Sequence, residues 1–366
     1  MTRTEFGVLI RVFYDSQIFL AQARGGISRY FVELIREFKN SPELGVMPMI
    51  SLTSSNNLHA SEAFGVRVRP GSGNKAKRGL DFFSQALVDR AKRDFDIRHF
   101  TFYSAAYGTF SGPSVSTLYD MIPELMGSNE RNPHLQKRMF MEKSTGVASI
   151  SQTSLRDMVS IYGYQPNISA ITHLGVGEEF QIGLEALDSL PAKYLLFVGL
   201  RGGYKRGDLA IRALGALEDR DIQLVFVGPE PVSRSEADLI AGLNLTERVK
   251  FITPTADELP RVYANARALL FPNLYEGFGF PPIEAMRSGT PVVASENEIN
   301  REISGKNIHY FPPDDLAALA ATIHNLLSKP GQKNDGAKLR ESTSKYTWHQ
   351  CALETAKLYR RVLESA

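Results

Sequence analysis

Short apolar runs that alternate with amphipathic segments constrain the fold of this 366-residue chain more than any other feature. The apolar runs are four to eight residues long, which suits buried strands, and the segments between them have helical periodicity. Strands that alternate with helices form parallel βαβ units, with helices covering both faces of the sheet. The pattern therefore predicts an α/β fold.

The alternation breaks down once, over residues 175–192, and we place a domain boundary in that gap. The length also fits about two domains. The predicted strands are Phe6–Phe13, Val46–Leu52, Ile97–Phe100, Ser114–Tyr119, Val147–Ser151 and Ile168–Thr172 before the gap, and Tyr194–Val198, Ile222–Val227, Val249–Ile252 and Ala268–Phe271 after it. The predicted helices include Ile27–Lys39, Leu80–Arg93, Asn132–Thr145 and Gln152–Tyr162. Two doubly wound domains in tandem bind ligands at the carboxyl ends of their strands.

Composition narrows the class of protein. The formal net charge of +2 is too small to indicate nucleic-acid binding. Cys351 is the only cysteine, which excludes an intramolecular disulfide and a cysteine-based metal site and favours a reducing compartment. No apolar run approaches the roughly 20 residues that span a bilayer, and the N-terminus has the pattern of a first strand rather than of a signal peptide. We expect a cytoplasmic protein.

Basic residues are concentrated between Arg67 and Arg98, where nine of them stand against four acidic residues. The commoner meaning of such a run is a solvated face. The alternative is a peripheral contact with the inner face of a membrane or with an anionic, lipid-linked acceptor.

The segment from Ala268 to Gly305 combines a strand pattern, a glycine-rich loop and a helix that starts at Pro281 and Pro282. Prolines are tolerated in a first helical turn because their missing N–H has no helical partner there. The backbone donors expected just before this helix are those of Gly277, Phe278, Gly279 and Phe280. A helix N-terminus opened by glycines suits an anion or a set of hydroxyl groups. Because Glu276 and Glu284 frame it, the segment predicts a ligand site.

This segment resembles the E-x7-E signature of the retaining nucleotide-sugar glycosyltransferases known as glycosyltransferase family 4, or group 1. The neighbouring sequences GFGFPPIEAM and SGTPVVAS extend the resemblance. It implies that Glu276 contacts hydroxyls of the donor sugar and that Glu284 holds the nucleotide ribose. The alternative is that Glu284 is only a favourable acid in a first helical turn, and Glu276 a solvated loop residue.

The resemblance also implies the GT-B architecture, in which two Rossmann-like doubly wound domains face each other across a cleft. We accordingly predict an acceptor-binding domain over residues 1–180 and a nucleotide-sugar-binding domain over residues 181–346. A last helix over residues 347–366 would cross back onto the first domain.

A second glycine-rich loop lies within the segment from Leu196 to Leu209, directly after a predicted strand. It carries Arg201 and Lys205, and cations at the carboxyl end of a strand suit a diphosphate. The resemblance implies that both side chains neutralise the leaving diphosphate, although the adjacent Arg206 is a further candidate.

Two segments of the predicted first domain complete the candidate site. Gly25 and Gly26 open the first helix, and the resemblance implies that backbone amides there approach the donor phosphate. Tyr119 and Asp120 follow a buried strand at the expected cleft edge, where the family often has His-Asp. Tyrosine can donate a hydrogen bond but is no base at neutral pH, because its reference pKa is about 10. We assign both residues to the acceptor side and Asp120 also to catalysis.

We expect neither a metal nor a cofactor besides the nucleotide-sugar. The seven histidines show no ligand spacing, and no D-x-D pattern follows a strand. The sequence also lacks a G-x-S-x-G motif, a P-loop lysine motif and a plausible triad.

The predicted function is transfer of a hexose with retention of its anomeric configuration. The loops RGGYK and GGISRY resemble those of bacterial polysaccharide mannosyltransferases, which implies GDP-mannose as donor and a saccharide or lipid-linked saccharide as acceptor. No motif supplies the carboxylate nucleophile of a double displacement, so front-face attack is the simpler mechanism. A nucleotide-sugar epimerase, a glycosidase that uses Glu276 and Glu284, and a non-catalytic nucleotide- or saccharide-binding protein remain alternatives.

Overall fold

A computed structural model describes residues 9–52, 54–55, 57–65, 67–68, 75–91, 94–108, 110–127, 133–328 and 336–365. The chain forms two compact units. The first unit comprises Met1–Gly175 together with Tyr346–Ala366, and the second comprises Val176–Lys345. The boundary predicted between residues 180 and 181 lies five residues further along the chain than this division.

The first unit is built on a six-stranded parallel sheet of order β2-β1-β5-β6-β7-β8. Its strands are β1 (Ile10–Tyr14), β2 (Val46–Ile50), the short separate pair β3 (Ser54–Ser55) and β4 (Arg67–Val68), β5 (Ile97–Phe100), β6 (Ser114–Leu118), β7 (Gly146–Ser149) and β8 (Ser169–Ile171). Its helices before the boundary are α1 (Gln17–Ala21), α2 (Gly26–Asn40), α3 (Leu58–Phe64), α4 (Lys75–Ala91), α5 (Ile122–Met126), α6 (Pro133–Lys143) and α7 (Gln152–Tyr162). Buried side chains such as Val12 and Phe100 form its core.

The second unit has a parallel sheet of order β11-β10-β9-β12-β13-β14. The strands are β9 (Tyr194–Val198), β10 (Gln223–Val227), β11 (Val249–Ile252), β12 (Ala268–Phe271), β13 (Val292–Ser295) and β14 (His309–Phe311). The helices are α8 (Gly207–Ala216), α9 (Arg234–Gly242), α10 (Leu259–Asn265), α11 (Phe280–Arg287), α12 (Glu298–Ser304), α13 (Leu316–Leu327) and α14 (Gly336–Ser342). The strand order reverses between β9 and β12, and such a switch point leaves a crevice at the carboxyl ends of the strands.

The predicted α/β class is confirmed, and so are most of the predicted elements. Four predicted strands agree with β5, β9, β11 and β12 at both ends, and α7 has the predicted bounds. The first predicted strand, Phe6–Phe13, falls partly on residues 1–8, which lie outside the described residues; β1 is described from Ile10. We did not predict β13 and β14. Strand β14 has only three residues, which give little periodicity to recognise, and β13 lies in the segment SGTPVVAS, which we interpreted only as part of the family resemblance.

The last helix, α15 (Trp348–Glu364), belongs to the first unit. Its buried Tyr359 hydroxyl lies 2.7 Å from the Tyr14 hydroxyl and 2.6 Å from His99 Nδ1. The other ring nitrogen of His99 lies 2.7 Å from Thr117 Oγ1. Burial lowers the pKa of His99 to about 3, so the ring is neutral and bonds as one donor and one acceptor. A chain of buried hydrogen bonds therefore joins α15 to β1, β5 and β6.

Helix α4 carries part of the basic region and also an apolar outer face. Phe83 and Leu87 stand one helical turn apart and are 62% and 65% exposed, more than any other large apolar side chain of the described residues. Arg69, Lys92 and Arg93 of the basic region lie outside the described residues. Among the helices that the structure describes, none is both long and apolar enough to cross a bilayer.

We expect Tyr359→Phe to lower the free energy of unfolding by about 1–3 kcal/mol, because it leaves the buried Tyr14 hydroxyl and His99 Nδ1 without their common partner. Urea denaturation measures the change. His349→Ala is the matched control on the same helix. Its ring is half exposed and lies 2.9 Å from Glu37, a contact worth at most about 1 kcal/mol. Equal losses in both variants would contradict the importance of the buried chain.

Candidate functional site

Two loops meet at the switch point of the second unit. The loop of residues 199–206 follows β9, and the loop of residues 272–279 follows β12, its hydrogen-bonded neighbour. The Leu274 amide donates to the Tyr204 carbonyl at 2.9 Å, which joins the loops directly. Because the carboxyl ends of parallel strands lie at the same edge of a sheet, side chains from both loops share one crevice.

Glu276 is the centre of the polar side chains in this crevice. Its Oε1 accepts from the Lys205 ammonium and from the Asn273 side-chain amide. Glu276 is 8% exposed and Asn273 is 1% exposed. The loop is fixed from behind by Asn297, whose amide donates to the carbonyls of Asn273 and Leu274 at 3.0 and 3.4 Å. The predicted partners Lys205 and Glu276 are thus in contact.

Asn273 is a member of this cluster that the sequence analysis missed. Its Oδ1 is buried and has no hydrogen-bond partner among the described residues. A buried acceptor without a donor costs free energy, and a ligand hydroxyl or a water molecule would satisfy it. Its place three residues before Glu276 in a loop after a strand was the available signal.

The glycine loop ends where α11 begins, at Phe280, one residue before the predicted start. Gly279 precedes the helix with a φ of +83°, and a Cβ there would lie 3.3 Å from the Phe271 ring. This close approach in the left-handed region explains the glycine. Gly277 and Phe278 are buried in the same turn, so all four residues predicted to surround the helix start do so.

Glu284 lies on α11 and is 3% exposed. Its Oε2 accepts from the hydroxyl of Tyr263 on α10 at 2.8 Å. Glu276 is therefore not a solvated loop residue, and Glu284 lies beyond the first turn of α11, which contains no acidic residue. Buried carboxylates are rare unless they are paired or bind a ligand, so both belong to a built polar site.

The other two cations of the 199–206 loop form ion pairs with carboxylates other than Glu276. Arg201 is 4% exposed and forms an ion pair with Glu236 at 2.6 Å. Arg206 pairs with Asp208 and Asp314. Of the three cations considered from the sequence, Lys205 is the one that contacts Glu276 in the structure.

In the first unit, Gly25 directly precedes α2, and Gly26 is the first residue of that helix. A Cβ on Gly25 would lie 2.5 Å from the side-chain oxygen of Gln22, which itself accepts from the Ser28 amide at 3.3 Å. A side chain at position 25 would displace the end of the flexible Gln22 side chain, so the packing of Gln22 against the start of the helix favours a glycine here.

Tyr119 and Asp120 follow β6 as predicted, but their side chains differ in environment. Tyr119 is 5% exposed and donates to the Thr101 carbonyl at 2.7 Å, and burial raises its pKa. The Asp120 carboxylate accepts from the Ile122 amide at 3.0 Å and lies 3.9 Å from Lys137 Nζ. Of the two side chains, that of Asp120 is the more accessible.

Lys137 is a second residue that the sequence analysis missed. It is 5% exposed on α6 and donates to the Asp120 carbonyl at 2.9 Å and to Glu124 at 2.8 Å. Burial would raise the pKa of Glu124, but hydrogen bonds from Lys137 and Tyr162 outweigh it and lower the pKa. A single lysine on an amphipathic helix carries no signal that distinguishes it from surface lysines.

No group of three or more His, Cys, Asp or Glu side chains that could hold a metal occurs within the described ranges. The positive charge nearest to Glu276 is that of Lys205.

The sequence model of the protein family described as glycosyl transferases group 1 matches residues 187–349. This segment contains both loops of the crevice and almost all of the second unit. The second unit therefore resembles this family, and the match covers less than half of the chain. The group 1 resemblance inferred from Glu276, Glu284 and their surroundings is thereby confirmed.

Individual relatives agree with this assignment. The chain is 26% identical over 194 residues to the O-antigen chain mannosyltransferase RfbU of Salmonella typhimurium, which covers 53% of this chain and 54% of that protein. It is 25% identical over 303 residues to the O-antigen chain mannosyltransferase B of Escherichia coli. This match covers 75% of this chain and 77% of that protein. The chain thus spans only about half the length of the first of these relatives.

Among solved structures, the sucrose-phosphate synthase of Thermosynechococcus elongatus is similar with a TM-score of 0.74 at 20% identity. The match covers 97% of this chain and 99% of that one. At this identity the likeness concerns the fold, and it confirms the predicted GT-B class of two Rossmann-like domains.

Proposed function

We propose that the protein transfers a hexose from a nucleotide-sugar to a saccharide acceptor. The observation that carries this proposal is the convergence of Glu276, Lys205 and the unpartnered Asn273 Oδ1 at the switch point of the unit that matches the family. Hydroxyl groups of a sugar donate to carboxylate and amide oxygens, and an ammonium group binds phosphate oxygens. The cluster has a partner for each end of a sugar diphosphate.

The Lys205–Glu276 ion pair balances the charge of the site. Their side chains are 19% and 11% exposed, and either charge alone would be costly in that environment. When the donor binds, we propose that Lys205 turns to the diphosphate while sugar hydroxyls donate to Glu276 and to Asn273 Oδ1. The ligand thereby replaces one set of charge-assisted hydrogen bonds with another.

Glu284 takes the ribose in this proposal. The hydroxyl of Tyr263 holds one carboxylate oxygen, which orients the group for a bidentate contact with ribose hydroxyls. Gly26 at the donor phosphate, and Tyr119 and Asp120 at the acceptor, stay predictions.

The proposed reaction proceeds by front-face attack with retention. The bond between the anomeric carbon and the diphosphate oxygen breaks, and the acceptor hydroxyl oxygen bonds to that carbon on the same face. The hydroxyl proton passes to the departing diphosphate. Lys205 stabilises the negative charge that develops there, which is where electrostatic catalysis acts most strongly.

The donor that we propose is GDP-mannose. Both curated relatives described above are named as O-antigen chain mannosyltransferases, which supports a mannosyl donor and an acceptor in polysaccharide biosynthesis. The guanine base is inferred from the mannosyl group alone.

Glu276→Ala is expected to abolish transfer, and Glu284→Ala to weaken chiefly nucleotide binding. The loss of one hydrogen bond to a charged group costs about 1.5–3 kcal/mol, or roughly tenfold to a hundredfold in affinity. Transfer of labelled mannose and calorimetric titration with GDP measure the two effects. The exposed Glu247 provides the control variant Glu247→Ala. Unchanged activity and affinity in both site variants would refute the site.

The product should keep the anomeric configuration of the donor, which NMR of the product determines. Transfer should also persist in EDTA, because Lys205 is proposed to neutralise the leaving group. An inverted product would rule out front-face attack. Activity that EDTA removes and magnesium or manganese restores would contradict the expected independence from metal. Release of free epimerised sugar without an acceptor would identify the epimerase alternative.

GDP and GDP-mannose should raise the melting temperature more than UDP or ADP does. A ligand at a hundred times its dissociation constant adds about 2.7 kcal/mol of stability, which shifts the melting temperature by several degrees. A dye-based thermal assay is sufficient. A larger shift with UDP would refute the mannosyl assignment and leave the transferase proposal standing, whereas no shift with any nucleotide would contradict donor binding.

We also propose that α4 contacts an anionic membrane surface. The observation behind this is the exposed pair Phe83 and Leu87, with the exposed Arg90 seven residues after Phe83 on the same side of the helix. An apolar stripe flanked by basic residues lies at a membrane interface with its apolar side chains among the lipids. A lipid-linked acceptor would be met at that surface.

The double variant Phe83→Ser/Leu87→Ser should bind vesicles with phosphatidylglycerol at least about tenfold more weakly than the parent, because two buried apolar side chains contribute roughly 1.5–3 kcal/mol each. Co-sedimentation measures the affinity. Ile161→Ser, which alters an exposed apolar residue on α7, is the control and should bind normally. Unchanged binding of the double variant, or equal binding to purely zwitterionic vesicles, would refute the contact.

A further inference from the structure

The guanidinium group of Arg201 is already occupied by protein groups. Nε donates to Glu236 Oε1 at 2.6 Å, and Nη2 donates to the Pro231 carbonyl at 2.8 Å and the Glu230 carbonyl at 3.2 Å. Nη2 also lies 3.3 Å from Glu236 Oε2, so the ion pair is bidentate. The side chain is 3% exposed. A ligand anion would have to replace several well-formed bonds in a buried place.

Aromatic rings fix the position of the same group. The guanidinium carbon lies 5.0 Å from the centre of the Phe251 ring and 5.8 Å from that of Phe226. These two rings are stacked at 5.2 Å on the neighbouring strands β10 and β11. A planar cation above such rings gains a cation–π attraction, and its long side chain loses the freedom to turn elsewhere.

The partners of Arg201 all belong to the segment after β10, residues 228–236. Glu236 accepts from the Ser233 amide at 2.8 Å and forms the capping box that starts α9. Burial would raise the pKa of Glu236, but the hydrogen bonds from Arg201 and Ser233 lower it, so the carboxylate stays ionised. Arg201 therefore ties the loop after β9 to the loop after β10 and to the first turn of α9.

Glycines bring these two loops into backbone contact next to Arg201. The Gly199 amide donates to the Val227 carbonyl at 2.9 Å, and a Cβ on Gly228 would lie 2.9 Å from the Gly199 carbonyl oxygen. The 228–236 segment is thus held at the edge of the crevice, beside the loop that carries Lys205. A nucleotide whose diphosphate meets Lys205 would place its nucleoside along this segment or the next loop.

We propose that Arg201 is a positioning residue that holds the 228–236 segment in place for the nucleoside, through Glu236 and the carbonyls of Glu230 and Pro231, and that it is not a ligand of the leaving diphosphate. The inference rests on the proposed function, because it concerns the same nucleotide-sugar site. Lys205 is then the residue of the 199–206 loop that neutralises the diphosphate.

The test compares nucleotides that differ only in the number of phosphates. Dissociation constants are measured by calorimetry for GMP and GDP, and for UMP and UDP, with the variants Arg201→Gln, Glu236→Gln, the double variant and Lys205→Met. We expect Arg201→Gln to weaken the mono- and diphosphate by the same factor, on the order of tenfold. Lys205→Met should instead weaken the diphosphate several-fold more than the monophosphate.

The double-mutant comparison tests the route through Glu236. If Arg201 acts through that carboxylate, Glu236→Gln has a similar effect and the double variant is less than about twofold weaker than either single variant. Ser233→Ala, which removes the side-chain cap of α9 and leaves the Arg201–Glu236 pair, should lower the melting temperature and leave the ratio of mono- to diphosphate affinities unchanged.

Three results would overturn the inference. A loss of affinity in Arg201→Gln that is confined to the diphosphates would identify Arg201 as a diphosphate ligand. Unchanged affinity for every nucleotide excludes the positioning role, and additive losses in the double variant exclude the route through Glu236. Failure of the unaltered protein to bind any of the four nucleotides refutes the proposed function itself and is thereby distinguished from failure of this inference.

Discussion

The pairing of β9 with β12 is the constraint on which the candidate site depends. These strands are separate in sequence, with β10 and β11 between them, and parallel hydrogen bonds make them neighbours at the point where the strand order reverses. Their carboxyl ends therefore deliver two loops to one crevice. Lys205 and Glu276 are 71 residues apart in sequence and come into contact for this reason.

Pairing of buried charges explains how the polar side chains of the crevice are arranged. Glu276 is satisfied by Lys205 and Asn273, Glu284 by Tyr263, and Arg201 by Glu236. Each pair reduces the cost of burying a charge or a polar group. The pairs differ in how much of each cation they leave accessible to a ligand. Lys205 keeps 19% of its side-chain surface exposed, while Arg201 keeps 3% and has an aromatic ring above it.

In the core of the first unit, buried polar groups are likewise paired with one another. Tyr359, His99 and Tyr14 form hydrogen bonds where most neighbours are apolar, and each group is fully buried. Such a network favours one docking of α15, because a shift along the helix would leave several polar atoms without partners. The end of the chain is thereby fixed to the strands at its beginning.

Much of the fold could be predicted from the sequence because local patterns determine it. The period of apolar residues identified β5, β9, β11, β12 and α7, and the glycines and prolines around Glu276 identified a loop followed by a helix. The three residues of β14 are too few for such a pattern, and β13, although as long as β5, was not identified. Fold class and the family resemblance depend on these local signals, and both are confirmed.

The partner of each charged side chain was decided only by the tertiary structure. From the sequence, Arg201, Lys205 and Arg206 were three similar cations on one glycine-rich loop. The structure directs Arg201 to Glu236, Arg206 to Asp314 and Lys205 to Glu276. Asn273 and Lys137 likewise acquire meaning only from burial and neighbours. The physical reason is that periodicity and turn preferences act over a few residues, whereas burial and ion pairing depend on which distant segments the sheet brings together.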